Sequence, residues 1–356
     1  MPFFRKASVL TDLGWDFSQS GTGIFSTEVS NESFSSRKDV KTVPLLLAHL
    51  TKGSSRELTD SDNNSIPNAS RNRVFEITSP DTMHTLTMRA LNDVQSSAWF
   101  NAIHEAIACL NGRILHNLNN VLSDTLQGSH LVHLGWIFER NSSTPLSDWS
   151  RTFLLVTNQE VAFYSRVPWT TEEWSNPRHS YSLLHVRLVP TVPSSPSSSI
   201  KSFNLSSPSP SCGLADYVSF VLRIGTRFGT EQKLMRVERH SDLVLWARHV
   251  IEGSHALALE TREVSFAASY ESIDSVLTLH IDNGLTLRRL QSMQIIWHFP
   301  IKNLIKSNDD GQKLLSLQFV GESKAIQVQI LQGVKPFIFT LHAFLSAKVS
   351  LIENHH

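Results

Sequence analysis

The sequence predicts a mainly β protein with α (an α+β fold), in which antiparallel sheets are each closed by one long helix. Short runs of alternating apolar and polar residues predict the strands. The order of strand, turn, strand and long helix occurs twice along the chain, which indicates a repeated unit. With 356 residues, the chain is long enough for roughly two to three domains of ordinary size.

The first copy of this order begins at residue 73. Residues 73–77 predict a strand, residues 79–81 a turn, and residues 84–90 a second, alternating strand. A helix is predicted from Asp93 onward. Four apolar residues at helical spacing predict a face that closes over an open sheet or barrel: Trp99, Ile103, Ile107 and Leu110.

The second copy has further strands before it. Residues 217–223 and 232–238 predict strands around a turn at 225–229. Ser241-Asp242 is predicted to cap a helix that starts at Leu243. The strands predicted upstream are residues 133–139, 151–156, 161–164 and 181–189. Seven strands followed by one helix is the pattern of the pleckstrin-homology (PH) domain, so the first copy, which lacks the opening strands, reads as its back half.

A separate, mostly β unit is predicted after the second helix. Turn sequences at residues 282–284 and 308–311 contain Asn, Asp and Gly, which tolerate positive φ. The β-rich runs around them are residues 263–266, 276–281, 285–288, 293–299, 314–319, 325–329 and 337–341.

Three polar stretches interrupt these units. Residues 16–40 are rich in Ser and Gly without a period, which predicts a linker. Residues 190–212 are dominated by Ser and Pro between two strand-like runs, which predicts a disordered loop inside a domain. Residues 51–72 predict a surface insertion.

Charge, cysteine content and motifs argue against several classes of function. The 32 basic and 32 acidic residues cancel, so no overall field attracts nucleic acid, and no nucleic-acid partner is expected. Cys109 and Cys212 are far apart, which argues against a cysteine zinc site and fits a reducing cytosol. The apolar runs are too short to span a bilayer, so no transmembrane segment is predicted. Because no metal motif, dinucleotide loop or catalytic triad is found, we expect no metal, no cofactor and no enzyme activity.

The chain resembles the syntrophins, a family of dystrophin-associated adaptor proteins, over about residues 4–352. The most specific resemblance is to the syntrophin-unique region, on residues 307–311 (SNDDG), 326–329 (IQVQ), 337–339 (FIF) and 342–349 (HAFLSAKV). The second PH domain of the family is resembled at residues 133–136 (HLGW), 187–189 (RLV), 223–227 (RIGTR) and Trp246.

The family is built as a PH domain split by an inserted PDZ domain, then a second PH domain, then the unique region. The resemblance therefore implies a linker following an absent PDZ domain over residues 1–40, and the C-terminal half of the split PH domain over residues 41–118. It implies a second PH domain over residues 131–260 and the unique region over residues 262–352. Binding that depends on the PDZ domain is not expected. A half barrel leaves open strand edges, so residues 41–118 are not expected to fold alone.

Two kinds of modest surface site are predicted in the second PH domain. Arg140 and Arg151 flank the loop between its first two strands, where PH domains that hold inositol phosphates carry several Lys and Arg. Two basic residues opposed by Asp148 predict only weak lipid attachment. Serines that precede proline in the predicted disordered loop are candidate phosphorylation sites: Ser195, Ser207 and Ser209.

Aromatic residues of the C-terminal unit are candidates either for partner binding or for the core: Trp297, Phe299, Phe337, Phe339 and Phe344. The resemblance implies that the second PH domain and unique region bind the C-terminal helices of dystrophin, utrophin and dystrobrevin, by analogy in an apolar groove. It also implies calmodulin, actin and phosphoinositides as further candidate partners. Residues 295–306 imitate a basic calmodulin-target helix, but Pro300 would break it, which favours two strands or a strand and a turn.

The predicted function is that of a non-enzymatic adaptor or scaffold. It is expected to bind dystrophin-family proteins and to link membrane-associated signalling proteins to the dystrophin complex and the actin cytoskeleton. Its expected location is cytoplasmic and cytoskeletal, peripheral at the plasma membrane of the sarcolemma or synaptic junction. The alternative is a peripheral membrane module whose PH domain binds phosphoinositides.

Overall fold

The computed structural model describes residues 43–53, 73–126, 128–140, 149–191 and 218–353. Within these residues lie three antiparallel sheets, each followed by a long helix, so the predicted α+β fold class is confirmed. The predicted linker over residues 1–40, most of the insertion at 51–72 and most of the loop at 190–212 lie outside the described residues. The same holds for the candidate phosphorylation sites Ser195, Ser207 and Ser209.

The first sheet has three strands in the order β1 (His49–Lys52), β2 (Val74–Thr78) and β3 (Thr85–Arg89). Helix α1 (Asp93–Val121) follows, and the side chain of Asn92 caps it by accepting a 2.8 Å hydrogen bond from the backbone N–H of Gln95. The first half of α1 packs on one face of this sheet. The buried core there consists of Ala48, Leu50, Phe75, Ile77, Phe100 and Ile107.

The predicted apolar face of α1 is wrong at Trp99. That side chain is 57% exposed, whereas its neighbour Phe100 is 2% exposed and packs edge-on against Phe75. The buried residues of the helix are Ser96, Phe100, Ile107, Ile114 and Leu118. Consecutive helical residues point about 100° apart, so moving the buried stripe by one residue turns Trp99 outward.

The second sheet has seven strands in the order β7-β6-β5-β4-β10-β9-β8. Its elements are β4 (Leu131–Arg140), β5 (Trp149–Thr157), β6 (Glu160–Tyr164), the short helix α2 (Thr171–Trp174), β7 (His179–Ser182), β8 (Val186–Pro190), β9 (Val218–Thr226), β10 (Gly229–Val237) and α3 (His240–Thr261). Seven strands followed by one long helix is the pattern predicted for a PH-type fold, although only six of the strands were predicted individually.

Two local predictions for this domain are wrong. The single strand predicted over residues 181–189 is two strands, β7 and β8, separated by the 3-10 turn Leu183–His185, where the Ser182 hydroxyl accepts a hydrogen bond from the N–H of Leu184. Helix α3 begins at His240 with Arg239 as its N-cap and no side-chain cap bond, so Ser241-Asp242 lies inside its first turn. The Ser241 hydroxyl instead accepts a hydrogen bond from the Arg239 side chain at 3.1 Å.

The third sheet repeats the same plan in the order β14-β13-β12-β11-β17-β16-β15. Its elements are β11 (Glu263–Tyr270), β12 (Ile273–His280), β13 (Gly284–Arg289), β14 (Ile295–Phe299), the 3-10 turn Ile301–Asn303, β15 (Leu304–Asp309), β16 (Leu314–Phe319), β17 (Ile326–Ile330) and α4 (Val334–Glu353). The mostly β C-terminal unit is therefore a third copy, and it is complete, with seven strands and one helix.

The strand predicted over residues 337–341 is wrong, because these residues form the second turn of α4. Their aromatic and branched side chains favour strands locally, yet the buried residues Phe337, Leu341 and Phe344 recur at helical spacing and fill the core of the sheet. The end of strand β15 was not predicted, since it overlaps the turn sequence at residues 308–311. Residues 295–306 form a strand, a 3-10 turn and a strand, as favoured over a calmodulin-target helix.

In each of the two complete copies, the sheet consists of a four-stranded half and a three-stranded half, which meet through a single pair of neighbouring strands. Two residue pairs join the halves in each sheet: Met235–Glu139 and Arg236–Phe138 between β10 and β4, and Ile330–Ala268 and Gln329–Ser269 between β17 and β11. The first copy contains only the three-stranded half and its helix in the described part of the chain. Contacts divide the chain into two compact units: the first copy with β5, β6 and most of β4 belongs to one, and the third copy belongs to the other.

Candidate partner-docking surfaces

In the first compact unit, the second sheet has an apolar face covered by α1. Residues 153–156 and 161–164 are buried at every position, which requires cover on both sides of β5 and β6. Phe153 pairs with Tyr164 and Leu155 with Ala162, so these four side chains share one face. These four side chains, together with Leu131 and Leu134 of β4, form a surface that we call the β4–β6 face. The residues of α1 and its C-cap that pack on it are Ile114, Leu118 and Leu122.

Polar contacts hold the second half of α1 at a fixed position on the β4–β6 face. The side-chain amide of Asn119 donates to the carbonyl of Leu131 at 3.0 Å and accepts from the N–H of Leu131 at 2.6 Å. Just before β1, Leu47 donates its N–H to the Asn111 side chain, and its carbonyl accepts from the Trp136 indole at 2.7 Å. Because these side-chain amides and the indole bond to backbone groups, they specify one register for the helix.

The candidate lipid residue Arg151 is engaged by the first sheet. Its guanidinium lies 3.6 Å from the carboxylate of Glu76 on β2, whose side chain is almost fully buried. Burial lowers the pKa of Arg151, and the negative charge of Glu76 opposes that shift. Arg140 is exposed at the end of β4, and the loop at residues 141–148 lies outside the described residues. Lipid contact by Arg140 and Arg151 stays a prediction.

In the second compact unit, α4 of the third copy packs against the second copy. The guanidinium of Arg187, on β8, donates to the carbonyl of Phe339 at 2.6 Å and lies 5.7 Å from the centre of its ring. His255 on α3 and Ser346 on α4 share a hydrogen bond of 2.8 Å. Gly225 leaves room for Phe339, since a Cβ there would lie 2.7 Å from the ring. These contacts join β8, β9 and α3 to the third copy within the second compact unit.

Histidines surround Arg187 at the junction. Burial lowers the pKa of Arg187 to about 10. Burial, together with the positive charge of Arg187, lowers the pKa of His185 to about 4 and also lowers the pKa of His255 and His342. These histidines are consequently neutral at pH 7, so they do not add positive charge beside a buried cation.

The junction also depends on Gly333, for which we predict a costly substitution. Gly333 and Gly321 both have positive φ, at 92° and 89°. A Cβ on Gly333 would lie 2.4 Å from the carbonyl oxygen of Arg227, whereas a Cβ on Gly321 would meet nothing within 4 Å. Gly333→Ala is expected to lower the free energy of unfolding by about 2 kcal/mol more than Gly321→Ala, as measured by urea denaturation. Equal losses for the two variants would contradict a close approach at Gly333.

The candidate aromatic residues lie in three different environments. Phe337 and Phe344 are fully buried in the core of the third copy. Phe339 is half-buried at the junction with Arg187. Trp297 and Phe299 are half-buried and pack with Phe319, whose ring is stacked on that of Phe299 at 4.1 Å. The structure does not bring the five together into one surface, and partner contact by any of them stays a prediction.

An exposed apolar stripe on α4 was missed by the sequence reasoning. Leu345, Val349 and Ile352 are 36%, 53% and 60% exposed, and their spacing of four and three residues places them on one side of the helix. Beside Leu345 lies Ser346, which contacts α3. The spacing was visible in the sequence, but the strand predicted at 337–341 concealed it. We call these three residues the α4 stripe.

Helix α4 is unusually apolar because it carries both buried core residues and the exposed α4 stripe. In the described part of the chain it is the one helix long and apolar enough to cross a bilayer by length and composition, with a mean hydropathy of 1.2. One side fills the core of the third copy through Phe337, Leu341 and Phe344. The adjacent part of the helix surface carries the α4 stripe, whose apolar side chains are exposed in the described structure.

Known proteins are similar to this chain along nearly its whole length. Residues 259–354 match the family model described as the syntrophin C-terminal PH domain, and residues 36–105 match a PH-domain model. Human beta-2-syntrophin is 33% identical over 358 residues, which cover 98% of this chain and 62% of that protein. Syntrophin-1 of Caenorhabditis elegans is 30% identical over 88% of this chain and 65% of its own length. The chain thus spans a little under two thirds of the length of these curated relatives.

Proposed function

The chain belongs to the syntrophin family, and from this membership we propose that it acts as a non-enzymatic adaptor for dystrophin-family proteins. Its partners would be the C-terminal helices of dystrophin, utrophin or dystrobrevin. It would lie in the cytoplasm at the plasma membrane, where it joins membrane-associated signalling proteins to the dystrophin complex and the actin cytoskeleton. We assign residues 41–118 to the back half of a split PH domain, 131–260 to a second PH domain, and 262–352 to the C-terminal PH domain.

The α4 stripe is the observation that carries this proposal. Exposed apolar residues at i, i+4 and i+7 on a helix form a ridge that an amphipathic partner helix can cover. The stripe adjoins the contact between α3 and α4, so a helix lying along it would reach both the second and the third copies. Binding along the α4 stripe is therefore expected to need both copies together.

The test is calorimetry of the full chain against a helical C-terminal fragment of dystrophin. Binding with a negative heat-capacity change is expected, because the complex buries apolar surface. Val349→Asp is expected to weaken binding at least tenfold, about 1.4 kcal/mol, by placing a charge in the apolar contact.

Val320→Asp is the matched control. Val320 also belongs to the third copy and is 60% exposed, compared with 53% for Val349, but it lies outside the α4 stripe. Its variant is expected to bind as the wild type does. No binding by the wild type would refute the adaptor proposal, whereas equal weakening by the two variants would refute only the assignment to the α4 stripe.

A further inference from the structure

The second half of α1 is a poor helix former by sequence. Four asparagines and one glycine occur in the eleven residues 111–121, and both residue types rank low in helix propensity. Packing does not require the glycine, since a Cβ on Gly112 would meet nothing within 4 Å. The helical state of this segment therefore depends on what it is packed against.

The β4–β6 face supplies that support. Ile114, Leu118 and Leu122 stand at i, i+4 and i+8 and are 6%, 0% and 0% exposed. Asn119 satisfies both backbone groups of Leu131 at the start of β4. Grooves bind amphipathic helices in the same way, through a row of apolar side chains, and here one amide fixes the position of the helix.

We propose that residues 111–122, which we name the latch helix, occupy in cis a groove that binds an amphipathic helix of a partner protein. The partner helix has apolar residues at i, i+4 and i+8 and an asparagine or glutamine at i+5, which takes the place of Asn119. A partner with a stronger helix propensity displaces the latch helix, because less ordering entropy opposes its binding. This groove lies in the first compact unit, so the inference does not depend on the α4 stripe or on the proposed function.

The latch helix itself provides the probe for the groove. A fluorescein-labelled peptide of residues 107–123 carrying Gly112→Ala is titrated against the full chain and against the variant Ile114→Ala/Leu118→Ala, whose latch helix is weakened. The weakened variant is expected to bind the peptide at least tenfold more tightly than the wild type. A peptide that also carries Leu118→Asp is the control and is expected not to bind.

A second measurement keeps the test valid if the double variant fails to fold. In the full chain, amide hydrogen exchange at residues 113–121 is expected to be faster than in the first half of α1. Gly112→Ala is expected to slow this exchange about fivefold, because alanine favours the helical state over glycine by about that factor in the equilibrium constant.

Three outcomes would overturn the inference. The first is equal protection along the whole of α1, unchanged by Gly112→Ala. The second is a folded double variant that binds the peptide no better than the wild type. The third is dimerisation of the double variant in light scattering without peptide binding, which would assign the groove to a second copy of this chain.

Discussion

A fragment that begins at residue 131 is expected to lose the cooperative unfolding transition of the longer chain and to aggregate. The fragment lacks α1, so the β4–β6 face and its neighbour Trp136, which packs against Phe153, are uncovered. The apolar side chains exposed by the cut are Leu131, Leu134, Phe153, Leu155 and Tyr164. At ~1.5–3 kcal/mol for each buried side chain, the loss is roughly 10 kcal/mol, comparable to the whole stability of an ordinary domain.

Thermal unfolding followed by circular dichroism, together with light scattering, measures this effect. A fragment that begins at residue 107 is the matched control, because it keeps Ile114, Leu118 and Leu122 on the β4–β6 face. It is expected to stay monomeric and to unfold cooperatively. A soluble fragment 131–356 with the unfolding midpoint of the full chain would show that α1 contributes nothing to the stability of the second PH domain.

Phe344→Ala is expected to destabilise the third copy by about 3–5 kcal/mol, whereas Leu345→Ala should change stability by less than about 1 kcal/mol. The two residues are neighbours on α4, but Phe344 is fully buried in the core and Leu345 is 36% exposed. Truncating Phe344 leaves a cavity between the helix and the sheet, while truncating Leu345 removes a partly solvated side chain.

Urea denaturation measures the stability of both variants, and the calorimetric titration measures their binding to the partner helix. Together they distinguish a core residue from a contact residue. Leu345→Ala should weaken partner binding while its midpoint stays near that of the wild type. The opposite pattern, with Phe344→Ala stable and Leu345→Ala strongly destabilised, would mean that α4 is rotated relative to the sheet. That result would also remove the α4 stripe as a docking surface.

Two tryptophans show how far local sequence predicts burial. Trp99 and Trp246 each lie six residues after the first residue of their helix, α1 or α3. Trp246 is 4% exposed, but Trp99 is 57% exposed. In α1 the next residue, Phe100, takes the buried position against the sheet, so the same local position turns Trp99 outward.

The candidate site was less predictable than the fold. The aromatic residues singled out in the sequence are divided between core, junction and partly exposed positions, since aromatic identity alone does not distinguish a core side chain from a contact residue. The α4 stripe was readable as a helical spacing, but only once residues 337–341 were known to be helical.

The sequence by itself determined the fold class, the order of most strands and helices, and the family. Those features depend on alternation, helical spacing and turn residues within about ten neighbouring positions, which the chain carries wherever its segments end up. Only the tertiary structure decided what covers the β4–β6 face, that Glu76 engages Arg151, and that Arg187 holds Phe339. The hydrophobic effect is non-directional. The same apolar stripe in a sequence can therefore pack on its own sheet, on another domain or on a partner protein.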